Sequence, residues 1–250
     1  MSNWKSIDFG ADSYLSMLKK CDGYYQCPKD SDGRRLGPLV GYAGRYGDNM
    51  QYVGEDYYDF ARAERYGSVL QFFADEIVKV AEVSHRRNLH GSVFCGAPEG
   101  GKALACALSR SAFGEYIYPE KKVIAPATRD SREITSLDFG RHEPEPGSCV
   151  WIVEDVCNNF STTKEMVALI QSREARVEGI LCFLNRSTQF DTEYDCDGLQ
   201  LPVIALVRKP TPQYTQDDPF VALDIKRRNV EWKPKNKITK LIECMEHVGA

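Results

Sequence analysis

The chain has 250 residues, 42% of them hydrophobic, and a formal net charge of -4. That length and apolar content supply a core for one large domain or two small ones, and the acidic balance argues against a protein with a broad basic nucleic-acid footprint. No run approaches the roughly 20 apolar residues of a membrane span. The start Met1-Ser2-Asn3-Trp4-Lys5 lacks an apolar signal-peptide core, so a cytoplasmic protein with neither a membrane nor a nucleic-acid partner is expected.

Residues 1–66 are rich in tyrosine, glycine and charge, with turn signals at Asp22-Gly23, Asp32-Gly33 and Gly47-Asp48. They are expected to form a small amino-terminal cap or hood. From Ser68, the residues Val69, Leu70, Phe72, Phe73, Ile77, Val80 and Ala81 recur at helical spacing. This predicts a long amphipathic helix over 68–81 with its stripe on a core. Beyond Gly91, short apolar runs alternate with helical segments. Strands are predicted at 92–95, 116–118, 150–153, 179–184 and 203–206, with helices at 102–110 and 164–172. That rhythm predicts an α/β fold, a parallel sheet flanked by helices, over a core of 67–210. Residues 124–147 are polar with three prolines and read as a mobile loop. The remaining 211–250 read as a carboxyl-terminal helical segment, in which Asp218 caps a helix with Pro219 in its first turn.

The nine cysteines are odd in number and contain no C-x-x-C pair, a pattern of reduced thiols rather than a disulfide framework. Cys95, Cys149 and Cys182 sit in apolar runs as small core residues. Cys21 and Cys27 with His85 or His90 fit no zinc-finger spacing. Lys226-Arg227-Arg228 reads as a solvated basic face.

Two strand-to-helix turns carry the chemistry. The first is Cys149-Val150-Trp151-Ile152-Val153-Glu154-Asp155-Val156-Cys157-Asn158-Asn159-Phe160-Ser161-Thr162-Thr163. An apolar run suited to a buried parallel strand ends in two acids, at the edge where open α/β sheets bind ligands. Thr162 with Glu165 spells a capping box that places a helix start near Thr163. The amides of such a turn favour a phosphate, and the adjacent carboxylates suit ribose hydroxyls or Mg²⁺. The second turn is Gly96-Ala97-Pro98-Glu99-Gly100-Gly101-Lys102-Ala103. It nearly spells the nucleotide-binding G-x-x-x-x-G-K-[ST], but Ala103 has no hydroxyl for a metal ion.

The 149–163 stretch resembles the phosphoribosyl pyrophosphate signature of the type I phosphoribosyltransferases. Asn158 and Asn159 stand where that family usually has threonines or small residues, and Phe160 stands where it has glycine. The turn at 96–105 is similar to the pyrophosphate loop of the orotate phosphoribosyltransferases within that family, and the resemblance covers residues 66–210. It implies Glu154 and Asp155 as catalytic carboxylates, Asp155 also as a possible Mg²⁺ ligand, with the metal carried mainly by the substrate. It implies that Asn158, Asn159, Phe160, Ser161, Thr162 and Thr163, with Ala97, Pro98, Glu99, Gly100 and Gly101, bind phosphoribosyl pyrophosphate. Arg186, after Phe183-Leu184-Asn185, matches an arginine that meets the carboxylate of orotate. In the catalytic loop Tyr118 and Pro119 replace a basic pair, leaving Lys122 as the catalytic lysine beside the substrate-binding Lys121. Arg129, Arg132 and Arg141 are further loop cations. The implied activity is Mg²⁺-dependent transfer of ribose 5-phosphate to a nucleobase, orotate first, by a homodimer. Two alternatives stay open: a regulatory protein that binds the sugar pyrophosphate without turning it over, and a transferase for another base.

Overall fold

Eleven of the strands and helices among the described residues lie in one continuous stretch, Gly67–Lys209. The computed structural model describes residues 3–125 and 134–247. After a 3-10 turn at Trp4–Ser6 come α1 (Tyr14–Lys20), β1 (Tyr24–Gln26), β2 (Leu39–Tyr46), β3 (Met50–Gly54), β4 (Asp56–Tyr58) and α2 (Ala61–Glu64). Then follow α3 (Gly67–His85), β5 (Val93–Gly96), α4 (Gly101–Ser111), β6 (Glu115–Ile117), β7 (Pro119–Ala125), β8 (Ile134–Phe139), β9 (Cys149–Cys157), α5 (Ser161–Gln171), β10 (Arg176–Asn185), β11 (Glu193–Cys196) and β12 (Leu199–Arg208). The chain ends with α6 (Ala222–Lys226), β13 (Val230–Glu231) and α7 (Pro234–His247). Two compact units result: Gly67–Lys209, and a second that joins Met1–Tyr66 to Pro210–Ala250.

The Gly67–Lys209 unit is built on a six-stranded sheet in the order β11-β12-β10-β9-β5-β6. Every pairing is parallel except the edge pair β11 and β12. Because side chains alternate across a strand, Val93, Cys95, Ile152, Ile180 and Cys182 bury one face together with Met166, Val167 and Ile170 of α5. On the other face Phe183 meets Phe73 of α3, ring centroids 4.7 Å apart. Of the expected α3 stripe, Val69, Phe73, Ile77 and Ala81 are fully buried, joined by Ala74, while Leu70, Phe72 and Val80 are half-buried. Helices therefore cover both faces, which is why the central strands read as nearly continuous apolar runs.

Three expectations are corrected. The expected loop 124–147 holds a strand, β8, which pairs antiparallel with β7 from Pro119↔Phe139 to Lys122↔Ser136 and beyond. Helix α5 begins at Ser161, two residues before the start expected from the Thr162 capping box, and its cap residue is Phe160 with no side-chain cap bond. Residues 218–221 form a turn in which Asp218 Oδ1 accepts from the Phe220 amide, and α6 starts only at Ala222. Arg129 and Arg132 lie outside the described residues.

The second unit has a three-stranded sheet, β13-β2-β3, and the β1-β4 pair. Ile238, Leu241 and Ile242 of α7 pack there on Tyr25, Val40 and Tyr42. Among the described residues no helix is long and apolar enough to cross a membrane.

Candidate active site

The carboxyl ends of β5, β9 and β10 converge through parallel pairing, with Gly96 level with Val153, Glu154 with Cys182, and Cys157 with Asn185. The chain leaving β5 stays tied to β9, since the Ala97 amide donates to the Val153 carbonyl at 2.8 Å. Helix α4 then starts at once, the Gly101 amide donating to Ala97 O at 2.9 Å.

Two glycines make this approach possible. A Cβ on Gly101 would stand 1.9 Å from the Val153 carbonyl oxygen, and one on Gly100 would stand 2.4 Å from Asp155 Oδ1. The Asp155 carboxylate thus lies directly against the bare backbone of the 97–101 turn. Its neighbour points the other way, as successive strand residues must. Glu154 faces α5, where the Thr163 hydroxyl donates to its Oε1 at 3.5 Å. Each acid therefore serves a different turn.

The pair is electrostatically crowded. Burial first, and then the charge of Asp155, push the Glu154 carboxyl up to about 8, against the opposing pull of the Thr163 hydroxyl and the Lys121 ammonium. Burial and the neighbouring charge therefore favour the protonated form of Glu154 at neutral pH. The two acids are oxygen donors of the kind Mg²⁺ prefers, yet no cluster of three metal-binding side chains exists among the described residues.

The other turn is held by its own side chains. Asn159 Oδ1 accepts from the Ser161 amide at 3.3 Å and the Ser161 hydroxyl at 3.1 Å. Phe160 adopts a left-handed backbone, φ 58°, the conformation glycine takes most easily. Its ring is 3% exposed and stacks on Tyr194 at 4.7 Å, with Phe190 edge-on at 5.4 Å. The side chain thus occupies the core instead of the mouth of the turn. Neither aromatic partner is signalled by the sequence, since both come from the segment after β10. The amides of Ser161, Thr162 and Thr163 open the eleven-residue helix α5, the end of a helix dipole that favours anions.

No protein-family model matches the sequence, and no curated protein sequence is similar to it. Solved structures do match. An orotate phosphoribosyltransferase from Aeropyrum pernix superposes with a TM-score of 0.52 at 16% identity, over 76% of this chain and 90% of that one. The chain has the type I phosphoribosyltransferase fold. A UMP synthase from Leishmania donovani gives a TM-score of 0.49 at 16% identity, over 96% of this chain and 44% of that one. An adenine phosphoribosyltransferase from Thermoanaerobacter pseudethanolicus gives 0.47 at 16% identity, over 62% and 89%.

Within this phosphoribosyltransferase fold Arg186 directly follows β10, its amide donating to Cys157 O at 2.9 Å. It is 6% exposed, so it is a buried arginine at the carboxyl edge and not a surface one. The following turn is braced by Asn185, which donates to Phe190 O and Asp191 O, and by Ser187 Oγ, which accepts from the Phe190 amide. Lys121 and Lys122 lie on opposite sides of β7. Lys121 is the one whose charge reaches Glu154. Lys122 is ion-paired with Asp138, which also takes Arg173 at 2.9 Å, and Lys122 holds that carboxyl below the usual range. Arg141 is exposed beyond the hairpin.

The opposite edge of the sheet has a different character. A cavity of about 620 Å³ there is lined by Arg86, Arg87, His90, Glu115, Arg176 and Glu178, among others. Arg86 and Arg87 directly follow the carboxyl end of α3, where a helix dipole draws cations. Anion-favouring helix starts belong to the other edge, with the carboxylate pair.

Proposed function

We propose that the chain is a phosphoribosyltransferase that moves ribose 5-phosphate from phosphoribosyl pyrophosphate to a nucleobase, with orotate as the base and a homodimer as the assembly. The observation that carries this reading is the acid pair Glu154 and Asp155 set between two helix-opening turns, one of them packed on Asp155 through Gly100. A sugar with a phosphate at one end and a pyrophosphate at the other matches that spacing of anion, carboxylate and anion sites.

Each residue then has a physical task. The amides and side chains of 158–163 hold the 5′-phosphate at the start of α5. Glu154 and Asp155 accept hydrogen bonds from the ribose hydroxyls. As the bond from C1′ to the pyrophosphate oxygen breaks and a ring nitrogen of the base approaches, the ribose gains positive charge, which the negative charge carried by the acid pair stabilises. Mg²⁺, when bound, offsets negative charge on the pyrophosphate, and Asp155 is the protein oxygen best placed to touch it. The 97–101 amides take the departing pyrophosphate, and Lys121 adds positive charge nearby. A buried guanidinium at Arg186 offers planar, paired donors to a carboxylated base.

The test is pyrophosphate release from phosphoribosyl pyrophosphate and Mg²⁺ with orotate, uracil, adenine and guanine supplied separately. Orotate alone is expected to support release, and Asp155→Asn is expected to lower kcat/KM by about 100-fold. Arg186→Ala should remove turnover with orotate. If release instead occurs only with a purine, orotate is the wrong base. A second reading, a protein that binds the sugar pyrophosphate without turnover, is favoured by the Lys122 to Asp138 ion pair and by Tyr118-Pro119 in place of a basic pair. Binding without release for any base would establish it.

A further inference from the structure

We infer that the cavity at the amino edge of the six-stranded sheet is a second binding site, for a small phosphorylated molecule of the nucleoside monophosphate type. It lies at the end of the strands opposite to the acid pair, so the reaction proposed above makes no use of it. Parallel pairing builds it: Val93 stands level with Glu115 and with Val150, and Cys149 with Arg176. The starts of β5, β6, β9 and β10 thereby meet the segment that leaves α3. Together they line about 620 Å³, a volume that suits a small ligand with an organic body.

Cationic groups dominate the wall. Arg176 is already matched, its Nε donating to Glu178 Oε1 at 2.6 Å and its Nη2 to Cys149 Sγ at 3.1 Å, contacts that fix the plane of the guanidinium. Arg86 and Arg87 are not matched, since neither has a carboxylate partner among the described residues. Three guanidiniums, of Arg86, Arg87 and Arg176, face two carboxylates, of Glu115 and Glu178. The cavity is thus net positive on a chain whose formal charge is -4.

The Ser148 hydroxyl is an independent sign of a ligand. Its backbone is anchored, the amide donating to Glu145 O at 3.0 Å and the carbonyl accepting from the Arg176 amide at 2.9 Å. Yet Ser148 Oγ is buried in the cavity wall without a hydrogen-bond partner. Such a hydroxyl costs stability that a bound acceptor restores. Phosphate oxygens accept from a hydroxyl and from guanidiniums alike. The rest of the wall suits the body of the ligand, because Trp151 and Val93 are apolar and buried and the exposed Glu115 accepts from hydroxyl or amino groups.

Arg86 separates binding from folding. It follows α3 with a left-handed backbone, φ 52°, a conformation for which helix ends ordinarily use glycine. Arg86→Gly is therefore expected to keep or raise the melting temperature while removing one guanidinium from the cavity. The test is calorimetric titration with adenosine and uridine 5′-monophosphates, their nucleosides and inorganic phosphate. Saturable binding of at least one nucleotide is expected, absent for its nucleoside and weaker for inorganic phosphate. Arg86→Gly and Arg176→Gln should each weaken it by about tenfold or more, and saturating phosphoribosyl pyrophosphate should leave it in place. Binding of neither nucleotide, or unchanged affinity in either variant, would overturn the inference. So would equal binding of the nucleoside or of inorganic phosphate, or displacement by phosphoribosyl pyrophosphate. Pyrophosphate release tests the proposed function separately, and its failure would leave this site standing.

Discussion

Phe160 shows how one side chain is reconciled with a turn that favours glycine. The left-handed backbone at φ 58° disfavours any residue with a Cβ, and the buried stack on Tyr194 and Phe190 offsets that cost. Removing the ring costs about 3–5 kcal/mol, and the substitute decides the remainder. Glycine relieves the backbone where alanine does not, by about 1 kcal/mol. Phe160→Gly is therefore expected to be more stable in urea than Phe160→Ala, the reverse of the usual order, and a more stable alanine variant would show that the backbone is not the constraint. Glu154 has a consequence at the same scale. Its folded-state carboxyl titrates near 8 against an ordinary value of 4.5, so between those values the folded state binds more protons than the unfolded one. Stability then falls as pH rises through that window. The melting temperature of the ligand-free protein should decline from pH 5 to pH 8.5, and Glu154→Gln should flatten the decline. An equal decline in both proteins would place the titration elsewhere.

At the scale of elements, the strands that are covered on both faces were legible because burial on both sides leaves no polar alternation to dilute the signal. Their ends were not. Strand β9 was expected to stop at Val153, yet it continues to Cys157 because β10 pairs alongside through Cys182↔Glu154 and Leu184↔Val156. A neighbour's hydrogen bonds hold two acids in an extended strand that hydropathy alone would have ended. The hairpin of β7 and β8 was hidden for a related reason. Its first strand is mostly exposed, Val123 and Ile124 included, so it carries no buried face for periodicity to reveal. Strand alternation also separates two adjacent lysines, Lys122 pairing with Asp138 while the charge of Lys121 acts on Glu154, a choice that Lys121-Lys122 as a dipeptide does not contain. The acid pair and both turns could be located by motif. Their juxtaposition depends on β5 pairing with β9 across more than fifty intervening residues.

At the scale of the molecule, the Gly67–Lys209 unit is continuous in sequence, whereas the other is assembled from both ends of the chain. That second unit depends on α7, whose Ile238, Leu241 and Ile242 are buried against Tyr25, Val40 and Tyr42. Burying an aliphatic side chain of this size contributes about 1.5–3 kcal/mol, so three together approach the whole stability of an ordinary domain, about 5–15 kcal/mol. Ending the chain at Lys233 should therefore melt the second unit. The parallel sheet owes its core to α3, α4 and α5 and to its own strands, none of which is removed. Hydrogen exchange on the shortened protein is expected to show lost protection at the amides of Val40 and Val53, both within the β2-β3 sheet, and retained protection at Ile152 and Leu181 in β9 and β10. Retention at all four would mean that α7 is dispensable to its unit. Loss at all four would mean that the two units fold as one cooperative body, and that the sheet carrying the acid pair draws its stability from both ends of the chain.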